Sequence, residues 1–446
     1  MSTNIEPVTL YLFWFDWGVG LFYRGEVMAI RRSWLACSLG VLAAVSAWAA
    51  VSAWGADWPQ WRGEARRDHS PDKGLLTQWP QEGPKRVWLF ENAGLGYAGY
   101  SIARGSLFTM GLRDGQEFLI ALDASSGKEL WSSPAGTRYP NGWGDGPRMT
   151  PTVDGDRVFA IGGQGLLICV HAKDGKQIWS KNLVTDLGGK LQDWGYTESP
   201  LVVGDMVICS PGGSQGTLAA LEKSSGAVRW RSKDITENAQ YSSPILIQHE
   251  GQSQVVQLVM NQFFGVSPKD GSVLWKKNFP GRVAVIPTPI YEDGIVYVTA
   301  GYGVGCEAIR LGKGNTVEPL YSNKVMKNHH GGVVCVDGHL YGHSDGAGWV
   351  CQELKTGKEV WSHKGFGKGS VTYADGKLIC LDERSGDVAL VEASTQGWKE
   401  ISRFKLNPLT SKRNPQGGIW PHPVIVNGRL YLRDQELLHC FDVKSK

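Results

Sequence analysis

The sequence lacks an excess of either charge sign. Lysine and arginine number 46 against 43 aspartate and glutamate residues, which gives a formal net charge of +3 over 446 residues. A protein that binds nucleic acid or a membrane surface mainly by neutralising phosphates needs a strong basic excess. The composition therefore argues against both classes, and we expect no nucleic-acid partner.

Cysteine is also scarce, and its eight residues are widely spaced. No two cysteines are adjacent, and no Cys-x-x-Cys or Cys-x-x-Cys-His motif occurs. These absences give no support for zinc ribbons, thioredoxin-like redox centres or covalently attached haem. The sequence leaves open whether one or two disulfides form. Nor does a Ser-His-Asp order, a paired-carboxylate motif or a phosphate loop stand out.

Glycine and tryptophan, in contrast, are abundant, with 58 and 19 residues. The apolar share of 42% supplies a large core, which excludes disorder as the main state. Many glycines together with many tryptophans are typical of short strands joined by tight turns, as in sandwiches, barrels and propellers.

The N-terminal region has the layout of a targeting segment. Residues 28–56 begin with a basic pair, Arg31 and Arg32, continue with an apolar run and end in small residues, as a secretory signal peptide does. Residues 1–27 are interpreted as an extra or mis-assigned stretch, the alternative being a hydrophobic hairpin or anchor. We therefore expect an exported chain in the periplasm or cell envelope, with one domain over 57–446 and no integral membrane span after signal removal.

An internal repeat runs through this domain. The segment ALDASSGKELW, which ends at Trp131, recurs in variants that end at Trp179, Trp230, Trp275 and Trp361. Glycines of hairpin-type turns recur about every 46 residues, which is the length of one four-stranded propeller blade. These turn glycines are Gly105, Gly155, Gly204, Gly251, Gly294, Gly338, Gly376 and Gly428.

The eight repeats predict an all-β, eight-bladed β-propeller with four-stranded blades. The first residue of each third strand is small, as expected where blades crowd together: Ala121, Cys169, Ala220, Gly265, Ala308, Cys351, Ala389 and Cys440. The last repeat ends after its third strand. Residues 85–90, which contain Trp88, resemble an isolated fourth strand and are predicted to complete blade eight and close the ring.

The repeat units resemble the tryptophan-docking motif of the pyrroloquinoline quinone (PQQ) propeller family, A-x-D-x-x-T/S-G-K-x-x-W. The resemblance covers nearly all of residues 58–443. Three further segments are similar to exported planctomycete-type PQQ-like repeat proteins, which are labelled BamB-like or alcohol dehydrogenase-like: residues 58–63, 328–332 and 420–423. The resemblance is specific for the fold and unspecific for the activity.

This resemblance implies two functions of different classes. The first is a binding or scaffold propeller of the cell envelope, BamB-like, with a protein or extracellular polymer as partner; we expect it to be a monomer. The alternative is a PQQ- and calcium-dependent oxidoreductase that acts on alcohols or sugars. The dehydrogenases of the superfamily commonly carry an adjacent cysteine pair and long insertions. This chain has neither, which favours the first function.

Candidate functional residues lie in the loops that enter each innermost strand, because these loops face the propeller axis. The quinone carries three carboxylates on a flat ring system, so cations and aromatic rings suit it. The cofactor candidates are Arg148, Trp194, Tyr241, Arg282, His329, Lys368, Trp420 and His422. Glu198 and Asn238 are the calcium candidates, and Asp193, Glu198 and His330 the catalytic ones. The alternative is that these polar side chains only line a wet channel.

The neighbouring histidines His329 and His330 need a turn to act on one ligand. Adjacent residues of an extended strand point to opposite faces. The following Gly331-Gly332 pair permits the backbone to turn there.

Overall fold

The computed structural model describes residues 56–445, and almost all of its regular structure is β-strand. The predicted segment 1–27 and all of the predicted signal except Ala56 lie outside the described residues. The strands form eight four-stranded antiparallel sheets, each built from strands that follow one another along the chain except at the ring closure. No helix of this described part is long and apolar enough to cross a membrane. The prediction of an eight-bladed β-propeller is confirmed.

The first four blades span residues 101–278. Blade 1 contains β2 (Ser101–Ala103), β3 (Ser106–Arg113), β4 (Gln116–Asp123) and β5 (Glu129–Thr137). Blade 2 contains β6 (Thr152–Asp154), β7 (Arg157–Ile161), β8 (Leu166–His171) and β9 (Gln177–Asn182). Blade 3 contains β10 (Leu201–Val203), β11 (Met206–Cys209), β12 (Ala219–Glu222) and β13 (Val228–Arg231). Blade 4 contains β14 (Ile245–His249), β15 (Gln252–Leu258), β16 (Gln262–Val266) and β17 (Val273–Asn278).

The last four blades span residues 290–442 and borrow one strand from the N-terminal side. Blade 5 contains β18 (Ile290–Glu292), β19 (Ile295–Ala300), β20 (Gly305–Leu311) and β21 (Val317–Asn323), with a 3-10 turn at Lys313–Asn315. Blade 6 contains β22 (Val333–Val336), β23 (His339–Ser344), β24 (Gly348–Glu353) and β25 (Glu359–His363). Blade 7 contains β26 (Gly369–Ala374), β27 (Lys377–Asp382), β28 (Asp387–Glu392) and β29 (Glu400–Lys405). Blade 8 contains β30 (Val424–Val426), β31 (Arg429–Asp434), β32 (Leu437–Asp442) and β1 (Lys85–Phe90).

The ring closes through β1, as predicted. This strand pairs antiparallel with β32, and Trp88 lies opposite Cys440. The closing strand covers an edge that would otherwise leave its N–H and C=O groups unpaired. The first and last strands of the chain, β1 and β32, are therefore held in a single sheet.

The column of small residues has a direct packing reason. In blade 1, Ala121 lies between Phe108 on the second strand and Trp131 on the fourth. In blade 4, a Cβ on Gly265 would lie only 2.3 Å from Nε1 of Trp275. A larger residue at either position would collide with the ring of its neighbour. The described cysteines of this column, Cys169, Cys351 and Cys440, are buried free thiols that serve as small core residues, and the other described cysteines are also free.

Five tryptophans each join their own blade to the following one, so five of the eight junctions between blades have this contact. The indole N–H of each donates to a backbone carbonyl of the following blade at 2.8–3.1 Å: Trp88 to Ala124, Trp131 to Ala172, Trp179 to Lys223, Trp230 to Pro268 and Trp361 to Ser394. Trp275 is different, because its indole donates to Gln254 of its own blade at 2.6 Å. Five of these six tryptophans therefore act as inter-blade clamps, by which we mean an indole hydrogen bond to the following blade, and Trp275 does not.

A turn glycine of the following blade packs against the ring of four of these five tryptophans, and this predicts a position-specific effect on stability. Gly175 has a φ of +71°, and a Cβ there would lie 2.5 Å from Trp131. Gly155 has a φ of +55° but no atom within 4 Å of such a Cβ. Both alanine variants strain the backbone to a similar degree. Only Gly175→Ala also adds a collision with the Trp131 ring. We expect it to lower the free energy of unfolding by about 1–3 kcal/mol more than Gly155→Ala, measured by urea denaturation. Equal losses in the two variants would contradict the clamp.

Residues 57–72, the axial segment, occupy the centre of the ring. Trp58 forms two backbone hydrogen bonds with Ile102 of the innermost strand of blade 1, at 2.7 and 2.8 Å. The carbonyl of Pro59 accepts from Val153 N of blade 2 at 2.7 Å. A segment that reaches the innermost strands of successive blades must lie on the propeller axis.

Arg66 of the axial segment joins blades 3 and 4. Its guanidinium donates to the carbonyls of Ser199 at 3.0 Å, Pro200 at 2.5 Å and Pro244 at 2.7 Å. Burial lowers the pKa of Arg66 to about 9, so the side chain keeps its charge at neutral pH. Three backbone acceptors at the starts of innermost strands are thereby satisfied by one side chain.

The axial segment contacts the remaining blades mainly through side chains. These contacts are Trp61 Nε1 to Thr288 Oγ1 (2.9 Å), Arg62 Nη2 to Val333 O (2.5 Å), Tyr373 N to Asp68 O (2.8 Å) and His422 Nδ1 to Asp68 Oδ2 (3.0 Å). All eight blades are thus attached to one central stretch of chain. The segment closes the channel that a bare ring of blades would leave open.

Removal of the Arg66 side chain should be costly for this reason. Arg66→Met would remove three hydrogen bonds and leave the carbonyls of Ser199 and Pro244 without a donor, while that of Pro200 keeps its bond from Thr152 Oγ1. We therefore expect a loss of about 3 kcal/mol or more in the free energy of unfolding. Lys73→Ala is the control, because the side chain of Lys73 is 74% exposed. The measurement is the shift in the urea midpoint, and a shift of Arg66→Met no larger than that of the control would refute the central role of the segment.

Candidate functional site

A cavity of about 350 Å³ lies on the axis. Its walls come from the loops that enter the innermost strands of all eight blades, and the axial segment contributes Trp61 and Arg62. This volume is within the range of small-molecule binding sites. Because the axial segment lies in the channel and lines this cavity with Trp61 and Arg62, we call the cavity the axial cup.

Aromatic rings dominate the lining. They are Trp61, Tyr97, Trp143, Trp194, Tyr241, Tyr302 and Trp420. Tyr97 and Trp420 have ring centroids 4.3 Å apart at an interplanar angle of 32°, and Trp194 meets Tyr241 edge to face at 5.5 Å. Trp143 is 42% exposed although it lines the cavity, which leaves an aromatic face open to solvent at the mouth. Flat conjugated ligands suit such a surface.

Cations are grouped on the same walls. Arg62, Arg148, Lys368 and Arg384 line the cavity, against Glu383 as the single carboxylate of the lining. Arg148 is held by the carbonyls of Gly144 and Gly146, at 2.6 and 2.9 Å, and its guanidinium lies 5.0 Å from the centre of the Tyr97 ring. Arg62 is paired with Asp68 and Lys368 with Asp345, whereas Arg148 and Arg384 form no salt bridge among the described residues. These two arginines favour an anionic ligand.

His330 and Glu383 form a hydrogen-bonded pair in the wall. His330 Nε2 lies 2.5 Å from Oε2 of Glu383, and both side chains are largely buried. Burial alone would raise the pKa of Glu383, but the hydrogen bond from His330 and the positive charges of Lys368 and Arg384 hold it below its ordinary value. An ionised Glu383 fixes the proton of the ring on Nε2, since a carboxylate only accepts. Nδ1 of His330 then has no partner among the described residues.

His329 and His330 line the same cavity even though they are adjacent. Their ring centroids are 4.8 Å apart. The residues around them form no strand, and Gly332 has a φ of +74°. The turn that the Gly-Gly pair permits is therefore present, and both rings face one ligand space.

His422 connects the cavity wall to the axial segment through both of its ring nitrogens. Its Nδ1 lies 3.0 Å from Asp68 Oδ2 and its Nε2 lies 3.1 Å from the His330 carbonyl. Asp68 also accepts from Arg62 Nε at 2.6 Å. Burial would raise the pKa of Asp68, but the charges of Arg62 and His422 hold it below its ordinary value. His422 thus links the axial segment to the His330 wall.

The cavity unites eight of the residues that the sequence singled out. They are Arg148, Trp194, Tyr241, His329, His330, Lys368, Trp420 and His422. The other four, Asp193, Glu198, Asn238 and Arg282, are not part of the lining. Asp193 and Arg282 are exposed.

Glu198 lies out of reach of a ligand in the cavity. It is fully buried and accepts from the backbone N–H of Ser210. Burial raises its pKa to about 7. The backbone of Asn238, the other calcium candidate, bridges to that of Gly212. Among the described residues, no group of three or more His, Cys, Asp or Glu side chains is arranged to hold a metal.

Several residues of the site were not predicted from the sequence: Trp61, Arg62, Tyr97, Tyr302, Glu383, Arg384 and Asp345. Trp61 comes from the axial segment, whose place in the channel no strand pattern indicates. Tyr302 and Glu383 lie on turns between the second and third strands of blades 5 and 7, whereas the predicted candidates belong to loops before first strands. Asp345 pairs with Lys368 at 3.0 Å from the equivalent turn of blade 6. The blade pattern also indicates these turns, because they lie at the same end of the propeller as the loops before first strands.

These observations define the class of protein: a PQQ-like repeat β-propeller with an aromatic, cationic cup on its axis. A family model described as outer membrane protein assembly factor BamB matches residues 115–363, more than half of the chain. The chain therefore belongs to this family. A comparison with curated proteins finds no match.

Solved structures of two kinds resemble the propeller. BamB from Moraxella catarrhalis superposes with a TM-score of 0.57 at 16% identity, covering 81% of this chain and 98% of that chain. Quinohemoprotein alcohol dehydrogenase from Comamonas testosteroni gives a TM-score of 0.58 at 11% identity, covering 87% of this chain and 81% of that chain. At such identities the likeness shows a shared fold alone.

Proposed function

We propose that the chain is an exported propeller that binds a flat, anionic aromatic cofactor of the PQQ type in its axial cup. One observation carries this proposal: seven aromatic side chains and four cationic ones line a single cavity of about 350 Å³ that the axial segment closes. A scaffold that binds only through its outer strands needs no such cavity. The predicted signal over residues 28–56 supports export.

The cup has the chemistry that the quinone requires. Tyr97, Trp420 and Trp61 offer faces for a conjugated ring system, and Arg148 and Arg384 offer positive charge to its carboxylates. When bound, such a quinone would accept the two electrons removed from an alcohol or sugar. The protein residues would supply binding, orientation and proton transfer.

Calcium does not fit the residues of the cup. A hard cation needs several oxygen ligands. Glu383 is the single carboxylate of the lining, and it is already paired with His330. Glu198 and Asn238 do not reach the cavity, so no step of the proposed chemistry passes through a metal.

A base for substrate oxidation is nevertheless available. Glu383 holds the His330 proton on Nε2, which leaves the Nδ1 lone pair free to take a hydroxyl proton. Asp193 and Glu198, the other catalytic candidates, do not line the cavity and so do not reach a ligand bound in it. We therefore assign the role of general base to His330, oriented by Glu383.

A titration tests the proposal directly. PQQ is added to the purified chain with and without Ca²⁺, followed by calorimetry, for the wild type and Trp420→Ala. We expect saturation near one cofactor per chain, unchanged by Ca²⁺, and about tenfold or greater weakening in Trp420→Ala because a stacking face is lost. Trp398→Ala is the control, because Trp398 stacks on His363 away from the cavity.

Each other outcome of the titration has a defined meaning. Absence of saturable binding, or equal affinity in Trp420→Ala, would contradict the cofactor site. Calcium-dependent binding would instead support the predicted calcium site at Glu198 and Asn238. If binding holds, Glu383→Gln should lower dye-linked oxidation of alcohols without abolishing cofactor binding.

A BamB-like role in holding a protein or polymer is the second candidate. The family match favours it, and so do aliphatic side chains exposed on the outermost strands. These are Leu130 (50% exposed), Val228 (46%), Val360 (39%) and Val87 (38%). Failure of the titration would make a search for an envelope partner of this surface the next experiment.

A further inference from the structure

A chain of hydrogen bonds runs through the cavity wall that blades 5, 6 and 7 build. Lys368 Nζ lies 3.0 Å from Asp345 Oδ1 and 2.6 Å from His329 Nδ1. On the other side of the ring, His329 Nε2 lies 2.7 Å from the hydroxyl oxygen of Tyr302. The four side chains come from three blades, so the propeller fold alone brings them together.

The direction of every bond in this chain is fixed. An ammonium group only donates, and that of Lys368 forms a salt bridge with Asp345. His329 Nδ1 must therefore accept, which leaves the ring proton on Nε2. That proton is donated to the oxygen of Tyr302. The hydroxyl proton of Tyr302 then has no acceptor among the described residues, and Tyr302 lines the cavity.

The protonation states agree with this direction. Burial, together with the neighbouring His330 and Lys368, lowers the pKa of His329 to about 3. Burial, and next to it Asp345, raises the pKa of Tyr302 above its ordinary value. A neutral imidazole and an intact phenol are the states that the hydrogen bonds require.

The backbone at Tyr302 is shaped to hold this geometry. Tyr302 and Gly303 have φ values of +55° and +77°, and the turn closes by a hydrogen bond from Val304 N to Gly301 O at 3.1 Å. A tyrosine in the left-handed region is unfavourable, because glycine, asparagine or aspartate normally fill that place of such a turn. A Cβ on Gly301 would lie 3.1 Å from Cα of His329, so the small residue lets the turn approach the histidine. Strain of this kind is found where function needs it.

We propose that Asp345, Lys368 and His329 make Tyr302 a hydrogen-bond donor presented to the ligand of the axial cup. The ligand therefore offers an acceptor, a carbonyl or carboxylate oxygen, to this wall. Tyr302 is the binding residue, and Lys368 and His329 are positioning residues that act through it. The ligand part of this inference rests on the proposed function, whereas the donor chain itself does not.

The tautomer of His329 tests the donor chain without any ligand. Nitrogen-15 NMR of the histidine-labelled full chain at pH 7, assigned with a His329→Gln variant, should find His329 neutral with its proton on Nε2. Lys368→Met removes the donor to Nδ1 and leaves Asp345 Oδ2 3.9 Å from it, so the Nδ1-protonated form should rise. Lys368→Arg keeps a donor and should restore the original tautomer. A doubly protonated or Nδ1-protonated ring in the wild type, or no change in Lys368→Met, would overturn the chain.

Affinity for PQQ, used as the probe, tests the ligand part. Tyr302→Phe should weaken binding by about 10- to 100-fold, as expected when one hydrogen bond to a charged acceptor is lost. Tyr291→Phe removes a phenol hydroxyl from β18, outside the cavity lining, and should bind as the wild type does. Equal affinity of Tyr302→Phe and wild type would overturn the assignment of Tyr302. If the wild type binds no PQQ, the proposed function fails, and the His329 tautomer still decides the donor chain.

Discussion

The attachment of all eight blades to one axial segment is the constraint on which the site depends. A ring of eight blades encloses a channel, and a channel open at both ends holds small ligands poorly. Arg66 fills three backbone acceptors of blades 3 and 4, while Asp68 ties blade 8 to the same stretch of chain. The axial segment thus forms the base of the axial cup. It also holds the loops that line the cup at fixed distances from one another.

The cup combines features that a wet channel does not require. A channel lined only to satisfy strand ends would have polar side chains that face water. Here Glu383 fixes the proton of His330, and Lys368 fixes that of His329, so two neighbouring imidazoles have defined and different partners. Ordered proton positions beside stacked aromatic rings are what a ligand with both charge and flat rings would meet.

The fold was predictable from the sequence to the level of single strands. The repeats fix the period, the small column marks each third strand, and the isolated strand around Trp88 indicates the closure; all three follow from local packing rules. The site was predictable in part, because one set of axial loops follows directly from the blade pattern. Asp193 and Arg282 belong to those loops but are exposed, since the direction of a loop side chain depends on tertiary contacts. The axial segment was not predictable, because its residues show no strand period and its partners in the blades are distant in sequence: Ile102 lies 44 positions from Trp58, and His422 lies 354 positions from Asp68.

The central claim is that the axial cup is a ligand site built by the axial segment and the facing loops. The most direct measurement is a crystal structure of the chain grown with PQQ. The account predicts the planar ligand in the cup beside Trp420, with one of its oxygens within hydrogen-bond distance of the Tyr302 hydroxyl. Ligand bound on the outer face of the blades, with the cup filled only by water, would contradict it.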